Sequence, residues 1–162
     1  MLHTRSFAFL AAAALAISSL ACQPRPAAFN PDDPAAIAEI EAAWKQAMDG
    51  AAAVDAEKAL SVTTKEKDFT FVTGDLMLAG YDEVLPRFKE TYSGLEKQTA
   101  EVSAKRIRLI SPDVALLTAV GEGTYTDKAG FTSEPVGMGA TVVFVRKDGA
   151  WRAVHFHQSI AK

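Results

Sequence analysis

Two histidines, His155 and His157, stand two residues apart in the run Val154-His155-Phe156-His157-Gln158. On an extended strand, residues two apart share a face. Such a pair could bind a metal, or move protons near neutral pH, where imidazole titrates. A catalytic zinc centre takes three protein ligands. The only other histidine, His3, lies in the N-terminal apolar stretch, and no carboxylate stands at a spacing that completes a set. We therefore expect no metal and no cofactor. Packing or a dimer contact is the expected role of the pair, with polar contact to a bound molecule as the alternative. Parity divides the strand in two. If Phe156 packs under a helix, Val154 and Gln158 go with it and both histidines face the other way. The apolar Val154 and Phe156 favour that arrangement.

Cys22, the single cysteine, is the other reactive side chain. It follows a basic start (His3, Arg5) and an apolar run from Phe7 to Ala21. This is the order of a secretory signal, and it is shorter than the roughly 20 apolar residues of a membrane span. Residues 1–21 are expected to form a cleaved signal peptide. The tetrad Ser19-Leu20-Ala21-Cys22 resembles the lipobox of bacterial lipoproteins, with Ser19 where Leu is commonest. The resemblance implies cleavage before Cys22 and lipidation of its thiol. Two or more acyl chains hold a protein on a membrane stably. Gln23 in place of Asp implies, by the same resemblance, a cell-envelope location in the outer membrane if the cell is Gram-negative. One cysteine allows no intramolecular disulfide, so the core must supply the stability. Basic and acidic residues number 17 and 20, for a net charge of −3. With no basic stripe, nucleic acid is not an expected partner.

Between Gln23 and Pro34 the chain reads Q-P-R-P-A-A-F-N-P-D-D-P. Four prolines in this stretch exclude a helix or a central strand, so residues 22–33 are expected to be an extended linker and 34–162 the folded domain. Asp33-Pro34 reads as N-cap and first helical residue. Ile37, Ile40, Trp44, Ala47 and Met48 recur at helical spacing to about Asp49, and Gly50 is expected to end the helix. Asp55 can cap a short second helix to Leu60. Phe69–Thr73 and Leu76–Ala79 make a hairpin, and a third helix runs from about Asp82 to Tyr92. The period then changes to two. Glu101–Ile110, Val114–Thr126, Pro135–Arg146 and Ala150–Ser159 are four strands joined by turn sequences, the last being Lys147-Asp148-Gly149. The expected class is α+β, with helices covering one face of an antiparallel sheet.

The order helix, helix, hairpin, helix, four-strand meander resembles the nuclear transport factor two-like superfamily, with its SnoaL-like and ketosteroid isomerase-like branches. The run Asp148-Gly149-Ala150-Trp151-Arg152-Ala153-Val154-His155-Phe156-His157-Gln158-Ser159 carries the resemblance most specifically. It is similar to the last hairpin of SnoaL-like proteins and of the calcium/calmodulin-dependent kinase two association domain, where Gly-x-Trp and His-Phe-His-x-Ser recur. Gly80-Tyr81-Asp82-Glu83-Val84 is a weaker match. The resemblance implies a cone-shaped fold with an apolar pocket and a homodimer formed through the outer sheet face. Strands that are apolar on both sides, as at Leu116/Leu117 and Val142/Val143, agree with a sheet covered twice. The isomerase branch uses a Tyr and two Asp residues. Here the first helix offers Trp44, and the first strand offers Phe71, Val72 and Thr73, so steroid isomerisation is disfavoured. Arg106 and Arg108 share a strand face without the Asp pair of the epoxide hydrolase members.

Trp44, Phe71, Tyr125 and Phe156, with Gln158, His155 and His157, are the expected ligand-pocket residues. Gly121 and Gly123, on the Tyr125 face of their strand, mark a second stretch of pocket wall, since strand glycines signal a bend or close approach. The functional expectation is an exported lipoprotein whose domain binds a small apolar molecule in its cone. One alternative is an isomerase, cyclase or dehydratase with His155 or His157 as general base; another is an envelope protein-interaction module.

Overall fold

A computed structural model describes residues 28–161. The expected signal segment and Cys22 lie outside the described residues. Helix α1 (Pro34–Ala52) starts where Asp33 accepts hydrogen bonds from the amides of Ala35 and Ala36, at 2.9 and 3.2 Å. These satisfy two of the amides that a helix start leaves unpaired. Just before it, the Pro31 carbonyl accepts from Leu109 N at 2.8 Å, which pins the end of the linker to the sheet. Helix α2 (Ala56–Ala59) is capped by Asp55. Strands β1 (Thr70–Thr73) and β2 (Leu76–Ala79) form the hairpin, and α3 (Tyr81–Ser93) follows. Then come β3 (Leu95–Ser111), β4 (Val114–Asp127), β5 (Val136–Lys147) and β6 (Ala150–Ile160).

Most element ends differ from the sequence reading by one residue, and three differences are informative. Gly50 does not end α1; it lies buried within it, and the helix continues to Ala52. The missing side chain is used for packing instead, because α2 crosses directly over it. Strand β3 begins at Leu95, not Glu101. Residues 95–100 lack apolar alternation because they lie on an edge strand and are largely exposed, so periodicity could not mark them. The hairpin strand starts at Thr70, with Phe69 buried just ahead of it.

The six strands form one sheet in the order β2-β1-β6-β5-β4-β3. Strands β3 to β6 are an antiparallel meander, and β1 joins β6 in parallel, pairing Phe71 with Phe156. One face packs on α1 through Ile107, Leu109, Leu117, Val142, Phe144 and Trp151, which meet Ile40 and Trp44. Alanines at 115, 119 and 153 let the helix approach closely on the same face. A second cluster of Leu60, Phe69, Phe71, Tyr81 and Val84 joins the hairpin to α3. Phe156 packs against both clusters. Helices on one side of a curved sheet give the α+β cone.

Candidate functional site: the two faces of the sheet

Register decides which side chains share the cone. Val142 and Phe144 are core residues, so Val143 points away from the helices. His155 pairs with Val143 and His157 with Thr141, which puts both histidines on that outward face. Phe156 lies between them and points inward. The parity expected for Phe156 and the histidines is the one observed. The pocket assignment of the histidines and the parity expected of Val154 need correction. His155 and His157 do not meet the aromatic side chains of the cone, because strand alternation points them the other way. Val154 does not share the face of Phe156 as a regular strand residue. The ladder slips between Val143 and Phe144, which pair with His155 and Ala153, so Val154 is the extra residue of a β-bulge. The bulge lets Trp151 and Ala153, then Phe156, all face inward despite their odd spacing.

Inside the cone the aromatics stack on one another. Phe156 lies 6.3 Å from Trp44 and 5.6 Å from Phe71, with ring planes 12° and 21° apart. Phe71 meets the edge of Phe88 at 5.0 Å, and Phe88 meets Tyr92 at 5.7 Å. Trp44, Phe71 and Phe156 are therefore brought together, packed on one another. Phe88 and Tyr92 extend the stack towards the open end. Their spacing of four on one helix was the available signal, but Tyr92 was missed as a cone residue. Burial pushes the Tyr92 phenol above its ordinary pKa of 10.0, and a hydrogen bond with Gln98 opposes the shift. Gln98 also donates to the Ala51 carbonyl at 2.6 Å, tying β3 to the end of α1.

Tyr125 does not join this stack. It is 43% exposed and packs against Phe131 of the β4–β5 turn, with centroids 6.4 Å apart. It lies too far along β4 to reach the rings held by α1 and α3. Gln158, on the inward parity of Phe156, is partly exposed beyond it. At Gly121 and Gly123 the space that a side chain would need is taken by the backbone carbonyls of Glu101 and Thr99 and by the Met138 side chain. Close approach of β3 explains both glycines.

The outward face carries the remaining polar groups. His155 Nδ1 and Thr70 Oγ1 are 2.7 Å apart. A shallow cavity of about 380 Å³ lies beside Arg106, Thr118, Val120, Thr141, His157 and Ser159. Another of about 380 Å³ lies between the α1–α2 junction and the end of α3, lined by Asp55, Glu57, Lys89 and Tyr92. Among the described residues there is no group of three or more His, Cys, Asp or Glu placed to hold a metal ion.

The outward face also forms rows that the sequence did not reveal. Arg108, Leu116, Val143, His155 and Thr70 make one; Arg106, Thr118, Thr141, His157 and Val72 make the next. Then come Ala104, Val120, Gly139 and Ser159, and finally Glu101 with Glu122. A second bulge, at Ser103 of β3, keeps these rows aligned: Val102 pairs with Gly121 but Ala104 with Val120.

This architecture recurs in solved structures. A protein from Xanthomonas campestris named for the calcium/calmodulin dependent protein kinase II association domain matches with a TM-score of 0.65 at 22% identity, over 76% of this chain and 86% of that one. A nuclear transport factor 2 (NTF2-like) superfamily protein from Salmonella enterica matches with a TM-score of 0.69 at 18% identity, over 77% and 91%. A ketosteroid isomerase-like protein from Erwinia carotovora matches at 0.65 and 21% identity, over 77% and 95%. No curated protein sequence gives a significant match. The family model for the calcium/calmodulin dependent protein kinase II association domain matches residues 36–162. The chain belongs to this association-domain family, built on the NTF2-like cone.

Proposed function

We propose that this chain is an exported, lipid-anchored association domain whose outward sheet face pairs with a second copy. The observation that carries the reading is the contrast between the two faces. The inward face is covered by helices and closed by stacked rings. No helix of the described residues covers the outward one, yet it presents Leu116, Val120 and Val143 at its centre and Met77 towards its edge. Val120 is 53% exposed and Met77 68% exposed. Exposed apolar side chains grouped on one face mark an interaction surface. At a strand spacing of about 4.8 Å and a rise of about 3.4 Å per residue, the face spans roughly 600 Å² in projection. That is the scale of the ~800 Å² which each partner buries in a stable complex.

Sedimentation of the purified full chain tests the pairing. A concentration-dependent dimer supports it, and Val120→Glu shifts the chain towards monomer. A wild-type chain that stays monomeric at tens of micromolar would refute it. The anchor has its own test. Cys22→Ser is expected to release the protein from the membrane fraction, and a variant that stays membrane-bound would sink the lipid-anchor claim. No described helix is long and apolar enough to cross a membrane.

A second reading, a small apolar ligand at the open end of the cone, is favoured by one observation. Beyond Phe156, the inward positions Val102, Tyr125 and Ile160 are 44%, 43% and 52% exposed. Gln158 and Met138 lie on the same side. Native mass spectrometry of freshly purified protein would reveal a retained molecule, and mass for the polypeptide alone would count against this reading. General-base catalysis by His155 or His157 gains no support, since both face away from the cone.

A further inference from the structure

The outward face is divided by charge along the strands. On β3 and β4, Glu101 and Glu122 are direct cross-strand partners. Like charges directly opposite one another on a sheet destabilise it. Both side chains are exposed, and neither makes an ion pair within the described residues. Further down the same face stand Arg106 and Arg108, partners of Thr118 and Leu116. They too lack an ion pair within the described residues. An acidic row and two basic positions thus lie on either side of Val120, each without its complement.

We propose that this face is complementary to itself: Glu101 and Glu122 of one copy lie against Arg106 and Arg108 of a second, about a two-fold axis at the level of Val120. The proposal rests on the pairing read above and specifies its register. For two sheets to meet face to face, the two-fold axis must lie between them. An axis running across the strands keeps each strand's lateral place and reverses its direction. Glu122 lies two residues above Val120, and Thr118 and Leu116 lie two and four below it. Reversal about the level of Val120, or one residue lower, brings the glutamates over the row of Arg106 or of Arg108. Isologous contact makes the same ion pairs twice. Short side chains at Ala104, Thr118, Gly139, Thr141 and Ser159 leave the trough of about 380 Å³ near the axis. About an axis at this level, the exposed Val120 of one copy lies over Val120 of the other, beside the trough.

Charge reversal in two halves tests the register. E101K/E122K and R106E/R108E are each expected to weaken self-association at least tenfold in sedimentation equilibrium. Mixing the two variants is expected to restore a heterodimer near wild-type affinity, because every reversed charge then meets its opposite. The dimer is also expected to weaken as salt is raised from 50 to 500 mM. Self-association unchanged by either reversal, or no recovery on mixing, overturns the register and leaves pairing on this face standing. A monomeric wild-type chain overturns both. Should a reversed variant not fold by circular dichroism, E101Q/E122Q takes its place, and a salt response equal to wild type is then the refuting result.

Discussion

Gly50→Ala should destabilise this protein, against the ordinary rule for helices. In a helix interior, alanine is better than glycine by about 1 kcal/mol. Here an added Cβ would lie 2.6 Å from the Lys58 carbonyl carbon and 2.7 Å from Ala59 Cα, with the Ala59 amide nitrogen closer still. Ordinary contact begins near 3.4 Å, so α2 must retreat by at least about 0.8 Å, the difference between 3.4 and 2.6, and further to clear the amide nitrogen. The obstacles are backbone atoms and cannot swing aside. Helix α2 is tied down by the buried Ala56, Ala59 and Leu60. Overpacking of this kind costs about 1–3 kcal/mol. After the propensity gain is subtracted, the net loss is up to about 2 kcal/mol, or a Tm lower by up to roughly 8 °C for a domain of this size. Gly94→Ala is the internal control. Gly94 has φ −88° and nothing within 4 Å of the Cβ position. That change should be neutral or stabilising by about 0.5 kcal/mol through the unfolded chain. Urea denaturation followed by circular dichroism measures both variants. Gly50→Ala as stable as Gly94→Ala, or more so, would refute the close approach of α2 over α1.

Two further perturbations probe the cone. Phe156→Ala removes the ring stacked between Trp44 and Phe71; truncation of a core phenylalanine costs about 3–5 kcal/mol. Because Phe156 is only partly buried, about 3 kcal/mol is expected in urea denaturation, and a loss under 1 kcal/mol would mean that the ring does not join the two clusters. Tyr92 gives a pH signature. Burial raises its phenol's pKa in the folded state, so the unfolded chain loses this proton first. The contribution is fully present below pH 10 and is lost as pH rises through the folded value. Tyr92→Phe should flatten the fall in stability above pH 10 relative to wild type, and parallel curves would contradict the burial of the hydroxyl.

The element order was legible because each element obeyed one period. Ile37, Ile40 and Trp44 mark α1, and the alternating residues of β4 to β6 mark the meander. What failed was local punctuation. Gly50 was read as a stop because glycine usually ends a helix, but its role is set by α2, whose position no window around residue 50 contains. The start of β3 was hidden for the same reason. Residues 95–100 pair with β4 while facing solvent, and hydrogen bonding leaves no hydrophobic trace. The parallel addition of β1 to β6 is likewise a contact between segments some 85 residues apart, as the Thr70–His155 pair shows.

The candidate site was half legible, and β-bulges explain where the reading stopped. Parity works only between bulges. Counted from His155 to Gln158, it assigns each face correctly. Carried back through Val154, it would turn Trp151 and Ala153 outward, although both are buried. On β3 the same error at Ser103 would put Glu101 on the helix side and separate it from Glu122. The outward glutamate row exists as a row because one extra residue shifts the face between Val102 and Ala104. A bulge also adds local twist and bends its strand, so the residues that make the sheet a cone are those that hide its surface pattern from the sequence. Curvature and the proposed charge pattern therefore have a common origin at Ser103. Deleting Ser103 pairs Val102 and Ala104 with the consecutive residues Gly121 and Val120, so β3 straightens while Glu101 stays opposite Glu122 on the outward face. The prediction is specific: a deletion variant that still folds should keep the heterodimer recovery that depends on Glu101, and recovery lost would show that the row needs the bend of the bulge and not its register alone.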